Sequence, residues 1–367
     1  MFKNYFIIAI RNLVRQKGYF FINLLGLTIG LTACLLISFY VIDELSYDRF
    51  HEKGERIYRV GYQYNAPSGE VFKIATTEYK LKEAFETYFN QIEAFVRISQ
   101  PGSFYIKYED KMFYEPKVSL VETNFFEVFT FEWIAGDKNT ALDEPFTAVI
   151  DETTAKKYFG NTNPIGKNLE VHTETERVQI RITGIIKDIP KNSHFHFNVM
   201  GSMETANYLY NDMQLNNWGE MTQFSYILLP ENVSIESLKS ISKNFTKQTF
   251  PDDLSKNILF QPLFDIHLKS NTRHEFETNG NMRNVIIFSI IAIFILIIAT
   301  INYMNLATAR SSKRAMEVGI RKILGANRAN LIFQFIGEAI IISFIAVWLS
   351  IAFADLLLPQ FNELANK

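Results

Sequence analysis

Few residues in this chain have types and spacing that suit chemistry. Gly160–Asn168, GNTNPIGKN, has the outline of a phosphate-binding loop. That loop needs four residues between its glycines and then Lys-Ser/Thr, so that amides cradle phosphates and the hydroxyl holds magnesium. Here five residues separate Gly160 from Gly166, and Lys167 is followed by Asn168. The stretch reads instead as a helix end, a Pro164 turn and the start of a strand. Ser193-His194-Phe195-His196-Phe197 would put two imidazoles on one face of a strand. No third ligand has zinc spacing, so hydrogen-bonded or surface histidines are expected rather than a metal. Asp188, ahead of Pro190 and Ser193, is expected to shape a turn through its side-chain acceptor. No Gly-x-Ser-x-Gly elbow, His-Glu-x-x-His pair or distinctive carboxylate pair occurs. An enzyme reading therefore lacks a constellation, and no catalytic, cofactor-binding or metal residue is assigned.

The elements that surround these residues are more telling. The chain has 367 residues, is 48% hydrophobic and 21% charged, and carries a net charge of −2, which argues against nucleic acid as a partner. Tyr19–Ile42 and Asn284–Ala309 carry no charge, and Leu331–Leu358 is interrupted only by Glu338 and Asp355. A membrane span needs about 20 apolar residues, so spans are placed at 19–42, 284–304 and 330–357. Glu338 is expected near the inner interface, paired with a nearby arginine. Lys3, Arg11, Arg15 and Lys17 make the N-terminus basic, and residues 304–330 hold six cations against Glu317 alone. The positive-inside rule puts both segments in the cytoplasm and residues 43–283 outside.

Residues 1–18 show one apolar face (Phe2, Phe6, Ala9, Ile10, Leu13) opposite Asn4, Arg11 and Arg15, which suits an interfacial helix. Leu31-Thr32-Ala33-Cys34 resembles a lipoprotein cleavage box, yet the chain stays apolar through Ile42, so Cys34 is expected within a helix. As the only cysteine it forms no intrachain disulfide, and the outer domain must fold by its core.

In that outer region, strands are expected at Ile57–Tyr64, Val71–Ala75, Ile92–Ile98, Phe104–Tyr108, Phe146–Ile150, Val178–Ile186 and Phe224–Leu229. Helices are expected at Glu78–Phe89, at Asp151–Phe159 with Asp151 as cap and Gly160 as stop, and at Ile235–Phe250 with Ser234 as cap. The fold class is thus a membrane protein with three transmembrane α-helices and a large α+β extracytoplasmic domain between the first two. No low-complexity linker or internal repeat is present.

The segment 305–329 has the most ordered pattern. Read as a helix, it gathers Arg310, Arg314 and Arg321 on one side and Met316, Ile320, Ile323 and Leu324 on another, before Gly325 and Asn327 break it. An apolar ridge beside a basic stripe fits a groove on a partner protein. It equally fits a positive-inside anchor whose ridge packs on its own membrane helices.

At these residues the chain resembles the MacB/FtsX-type permease subunits of ABC transporters. The likeness is carried by Glu317-Val318-Gly319-Ile320-Arg321-Lys322, Leu324-Gly325-Ala326, Gln334-Phe335 and Glu338. Ala9–Leu13, Asp48–His51, Arg56–Val60, Asn124–Phe129, Ala155–Gly160, Pro164–Lys167 and Gly184–Asp188 match the family's N-terminal segment and periplasmic core in order. The resemblance implies a periplasmic core domain of two subdomains. It also implies a cytoplasmic coupling helix, at Arg314, Glu317, Val318, Gly319, Ile320, Arg321, Lys322, Leu324 and Gly325, that docks on a separate ABC ATPase. ATP and magnesium would be bound by that ATPase and no cofactor by this chain. A second permease copy or half is implied as a partner, with a periplasmic adaptor or outer-membrane protein as further candidates, and the inner membrane as location. Such permeases have at least four spans, whereas this chain stops at Lys367 with Leu358-Pro359 expected to turn out of the third span, so a fragment is expected. The rival reading, a membrane-anchored extracytoplasmic sensor or interaction module, leaves Glu317–Ala326 without a purpose.

Overall fold

The computed structural model describes residues 17–66, 68–173, 176–251, 253, 255–323 and 328–365. The N-terminal interfacial helix expected over 1–18 falls almost wholly outside these residues, as does the break expected at Gly325 and Asn327. Contacts divide the chain into a helical unit, residues 1–45 and 282–367, and an outer unit, Ser46–Asn281. The first helix, α1 (Lys17–Leu45), outruns its uncharged stretch and carries Asp43 and Glu44 in its last turn.

The outer unit is one hydrogen-bonded sheet with two lobes. In chain order its strands are β1 (Ile57–Asn65), β2 (Val71–Ile74), β3 (Ala94–Ser99), β4 (Gly102–Tyr108), β5 (Lys111–Val121), β6 (Trp133–Gly136), β7 (Thr147–Asp151), β8 (Asn168–His172), β9 (Arg177–Ile186), β10 (Val199–Ser202), β11 (Gln223–Leu228) and β12 (Lys256–Pro262). Three helices longer than two turns sit between them: α2 (Leu81–Tyr88), α3 (Glu152–Phe159) and α4 (Ile235–Thr249). The first lobe is antiparallel, β3-β11-β1-β12, with β2 added to β1. Leu81, Phe85 and Phe89 from around α2 and Leu238 and Phe245 from α4 bury against Val60, Tyr62, Phe95 and Phe260. These apolar positions recur at helical spacing, which gives each helix one face to bury.

The second lobe closes on itself. β5 pairs with β10, β10 with β7, β7 with β9, β9 with β8, β8 with β4, and β4 with β5. This six-stranded ring needs no free edge, and its inward side chains (among them Ile106, Ala148, Leu169, Ile180 and Ile182) form a separate core. Helix α3 lays Ala155, Tyr158 and Phe159 into that core. Asp151 caps α3 through Thr154 N–H at 2.7 Å, and Gly160 ends it at φ +59°, both as expected from the sequence. Between the lobes the sheet narrows to a single residue pair, Ile98 opposite Val121. An aromatic-rich core fills the space there, with Phe125, Phe129, Phe195, Phe197 and Phe224 fully or almost fully buried.

Three local expectations are corrected. Ser234 occupies the N-cap of α4 but its hydroxyl makes no cap bond. Asp188 does not shape its own turn; its carboxylate accepts from the N–H and hydroxyl of Thr153, at 2.9 and 2.6 Å, and so serves the N-terminus of α3. Ser193–Phe197 is not a strand.

In the helical unit, α5 (Met282–Ile323) and α6 (Arg328–Ala365) both pack on α1. Small residues permit the approach: a Cβ on Gly30 would lie 2.7 Å from the Ala299 Cβ. The Thr32 hydroxyl satisfies itself on the Thr28 carbonyl at 2.8 Å, and Tyr40 meets Phe288 edge to face. Among the described residues three helices are long and apolar enough to cross a membrane, over Lys17–Leu45, Met282–Ala309 and Ile336–Ala365. The last helix continues through Pro359 to Ala365 rather than turning out at Leu358-Pro359. Proline lacks only one N–H, and the surrounding leucines and isoleucines keep the stretch apolar. Glu338, expected at an interface, is 4% exposed within the unit.

Candidate functional site

The outer unit is reached by two roots: Ser46–His51, which follows α1 in the chain, and Ser270–Glu277, which precedes α5. Both are held by the segment Asn192–Phe197. Asn192 donates its amide to the Ser46 carbonyl and hydroxyl at 3.1 and 2.9 Å. The Asp48 backbone N–H donates to the Asn192 carbonyl at 2.8 Å, with Asp48 at φ +61°, a region that aspartate tolerates better than most residues. The Asp48 carboxylate accepts from the His194 backbone N–H at 3.1 Å and from its Nδ1 at 2.8 Å. The other ring nitrogen of His194 bonds the Tyr226 hydroxyl of β11 at 2.8 Å.

His51 completes the first root. Its Nδ1 accepts from the Thr130 N–H at 3.0 Å, which fixes a neutral Nε2–H tautomer. Phe50, Phe129, Phe131 and Phe195 surround the ring. Burial among them pushes its pKa down to about 3. Burial would also raise the Asp48 carboxyl, but the charge and hydrogen bonds of His194 outweigh it and hold the group below the ordinary carboxylate range. Tyr47 stacks on His267 with ring centroids 3.3 Å apart.

The second root is held by charge. Arg59, 1% exposed in the middle of β1, places a two-pronged guanidinium on Glu275 at 2.5 and 3.0 Å and donates to Gln261 at 2.7 Å. The Ser270 and Thr272 hydroxyls donate to the same carboxylate. Burial raises the Glu275 carboxyl, yet these donors bring it below its usual value. Glu277 accepts from His196 Nδ1 at 2.9 Å and Lys117 Nζ at 2.8 Å. Between the two glutamates, Phe276 inserts against Phe195, Phe197 and Phe224.

The pentad Ser193–Phe197 is therefore a clasp. His194 holds the first root, His196 the second, and Phe195 touches a residue of each. The two imidazoles, read from the sequence as sharing a face, are committed to different carboxylates. Local pattern could not show this, since Asp48 and His194 are separated by 146 positions. The one available signal was that Asp48, His51, His194 and His196 are polar residues set among aromatics.

At the other end of the chain, α5 is one helix of 42 residues, about 60 Å long, and not a span followed by a separate loop. Nothing between Met282 and Val318 breaks it, because the basic stretch lacks glycine and proline. Arg314, Glu317, Val318, Gly319, Ile320, Arg321 and Lys322 all lie on its last turns. The side chains of Arg314, Glu317, Val318, Arg321 and Lys322 are outside the described set, as are Leu324 and Gly325 altogether. Ile320 and Ile323, three positions apart, are 54% and 87% exposed. A Cβ added at Gly319 would meet nothing within 4 Å.

Sequence comparison decides the family. Residues 20–243 match the MacB-like periplasmic core domain, and residues 289–366 match the FtsX-like permease C-terminal domain. The chain belongs to the MacB/FtsX-type ABC transporter permease family. Among relatives of this permease, a macrolide export ATP-binding/permease protein MacB from Shewanella sp. (strain W3-18-1) is 25% identical over 247 residues, covering 65% of this chain and 35% of that protein. One of the same description from Psychrobacter arcticus is 26% identical, covering 63% and 32%. The permease thus spans about a third of the length of the curated relatives it matches. Among solved structures, a domain of a putative permease protein from Porphyromonas gingivalis covers 57% of this chain and 90% of its own at 24% identity, with a TM-score of 0.49. The periplasmic region of MacB from Actinobacillus actinomycetemcomitans covers 58% and 91% at 16% identity, with a TM-score of 0.39.

Proposed function

We propose that this chain is a permease subunit that makes no bonds itself and couples ATP hydrolysis by a separate cytoplasmic ATPase to movement of its outer domain. The observation that carries the reading is the pair Ile320 and Ile323, exposed at the end of a helix that runs unbroken out of a membrane span. Apolar side chains exposed on the helix beyond the span suit a partner groove. A push on that ridge is delivered to the whole of α5, because an unbroken helix moves as a body. The helix then feeds the second root, and the clasp joins that root to the first. ATP and magnesium belong to the ATPase. A second permease copy would complete the assembly in the inner membrane, with a periplasmic adaptor or outer-membrane protein as a further partner, and peptides, lipoproteins or drug-like amphiphiles as cargo for export or extraction.

The test is co-purification with the co-expressed ATP-binding subunit. Ile320→Asp should reduce recovery of the ATPase at least tenfold, since an aspartate in an apolar groove costs well over 1.4 kcal/mol. Gly319→Phe, which meets open space in the free chain, should do the same while the thermal unfolding of the outer domain is unchanged. Undiminished recovery with both variants would end the docking reading.

A further inference from the structure

The six-stranded ring is plugged at one end by α3 and hollow toward the other. A cavity of about 230 Å³ lies there, and every strand of the ring contributes to its wall. Phe104, Val118, Val171, Ile180 and Val199 supply hydrocarbon, and half-buried Leu209 and Tyr210 stand at its rim. Among the described residues, none that lines the cavity is charged. The lining threonines satisfy themselves on the protein: Thr147 on the Glu144 carbonyl, Thr173 on Glu176, and Thr205 on the Phe146 N–H. The Ser119 hydroxyl, also in the wall, is buried without a partner among the described residues; apart from it such a wall offers water little, and an engineered apolar cavity of about 150 Å³ is known to stay dry and take up benzene. Mouths of β-barrels are also common places for small-ligand sites.

From this geometry we infer that the ring is a binding site for the hydrocarbon end of a small uncharged amphiphile, a single ring or a short aliphatic chain. Its one polar group would lie at the rim beside Gln100 and Tyr210. Charge is disfavoured because the described residues of the wall offer no counter-ion and would strip the ligand's water without replacing it. This site is independent of ATPase docking and of what the permease transports.

Three probes of one size separate the possibilities: benzyl alcohol, benzoate and benzylammonium. They would be titrated onto the full chain in lipid nanodiscs with methyl-labelled Ile, Leu and Val, so that lipid partitioning does not obscure the site. Benzyl alcohol is expected to shift the methyls of Val171, Ile180 and Val199 saturably, with affinity about tenfold or more above that of either charged probe. Val118→Phe, which fills the cavity, should abolish those shifts. Leu209→Trp, at the half-buried rim, provides a second filled variant if the first does not fold. Absence of saturable shifts with benzyl alcohol, equal binding of the charged probes, or shifts that persist in the filled variants would each overturn the assignment.

Discussion

The two roots of the outer unit are fastened by different chemistry. The first, Ser46–His51, is held by a carboxylate–imidazole–phenol chain and a neutral histidine packed among phenylalanines. The second, Ser270–Glu277, is held by a buried arginine that grips Glu275 from the centre of β1. Arginine stays charged throughout the accessible pH range, whereas neutral His51, its pKa pushed down to about 3 by burial, contributes less stability as acid protonates the unfolded chain first. One root is thus a fixed rivet, and the other is a joint that acid can loosen. Both end on one segment, so the difference in chemistry does not separate them mechanically.

The rivet is the costlier of the two roots to break. Arg59→Leu leaves Glu275 buried without its counter-charge and should cost about 3–5 kcal/mol, read as a large fall in Tm of the full chain. Adding Glu275→Leu should restore much of it. At the clasp, His194→Ala strands the fully buried Asp48 carboxylate and should cost about 2–3 kcal/mol. His196→Ala should cost under 1 kcal/mol, because His196 and Glu277 remain 21% and 30% exposed. Equal losses at the two histidines would show that the clasp is not graded as the burial implies.

The effect of pH is of similar, small size. His51 has its folded-state pKa depressed to about 3 from an ordinary 6.5, so the unfolded chain binds the proton first on acidification. Stability from this group is present above pH 6.5 and declines between there and pH 3. From pH 7 to 5.5 the loss is about 1 kcal/mol. Asp48, depressed from 3.8, contributes evenly across that window, since both its states are ionised there. His51→Phe should flatten the Tm profile between pH 7 and 5.5; an unchanged slope would place the titrating group elsewhere.

Much of the scaffold was legible in the sequence because it is local. β1, β9 and β11 follow runs of β-branched and aromatic residues, and Asp151 and Gly160 bound α3 as cap and stop. β5 was missed because Glu115-Pro116-Lys117 interrupts its apolar pattern, and Glu115 is buried by bonds to Tyr158 and Lys157, both distant in sequence. Pro359 was read as a stop, yet the helix runs through it. The clasp was invisible for a stronger reason. His194 and His196 invite a metal when only their spacing is seen, and their partners Asp48 and Glu277 lie at opposite ends of the outer unit's sequence. The closure of β5 on β10, which makes the ring and its cavity, is likewise a nonlocal pairing.

If the proposed coupling holds, movement made at the Ile320–Ile323 ridge reaches the clasp. This coupling is tested most directly by hydrogen exchange at Asn192–Phe197 and Ser270–Glu277, in the chain bound to its ATPase, with and without a non-hydrolysable ATP analogue. Nucleotide should change exchange in both segments of the wild-type complex and leave them unchanged in Ile320→Asp. A nucleotide response that persists in Ile320→Asp, or no response in a wild-type complex that has bound both ATPase and nucleotide, would contradict it.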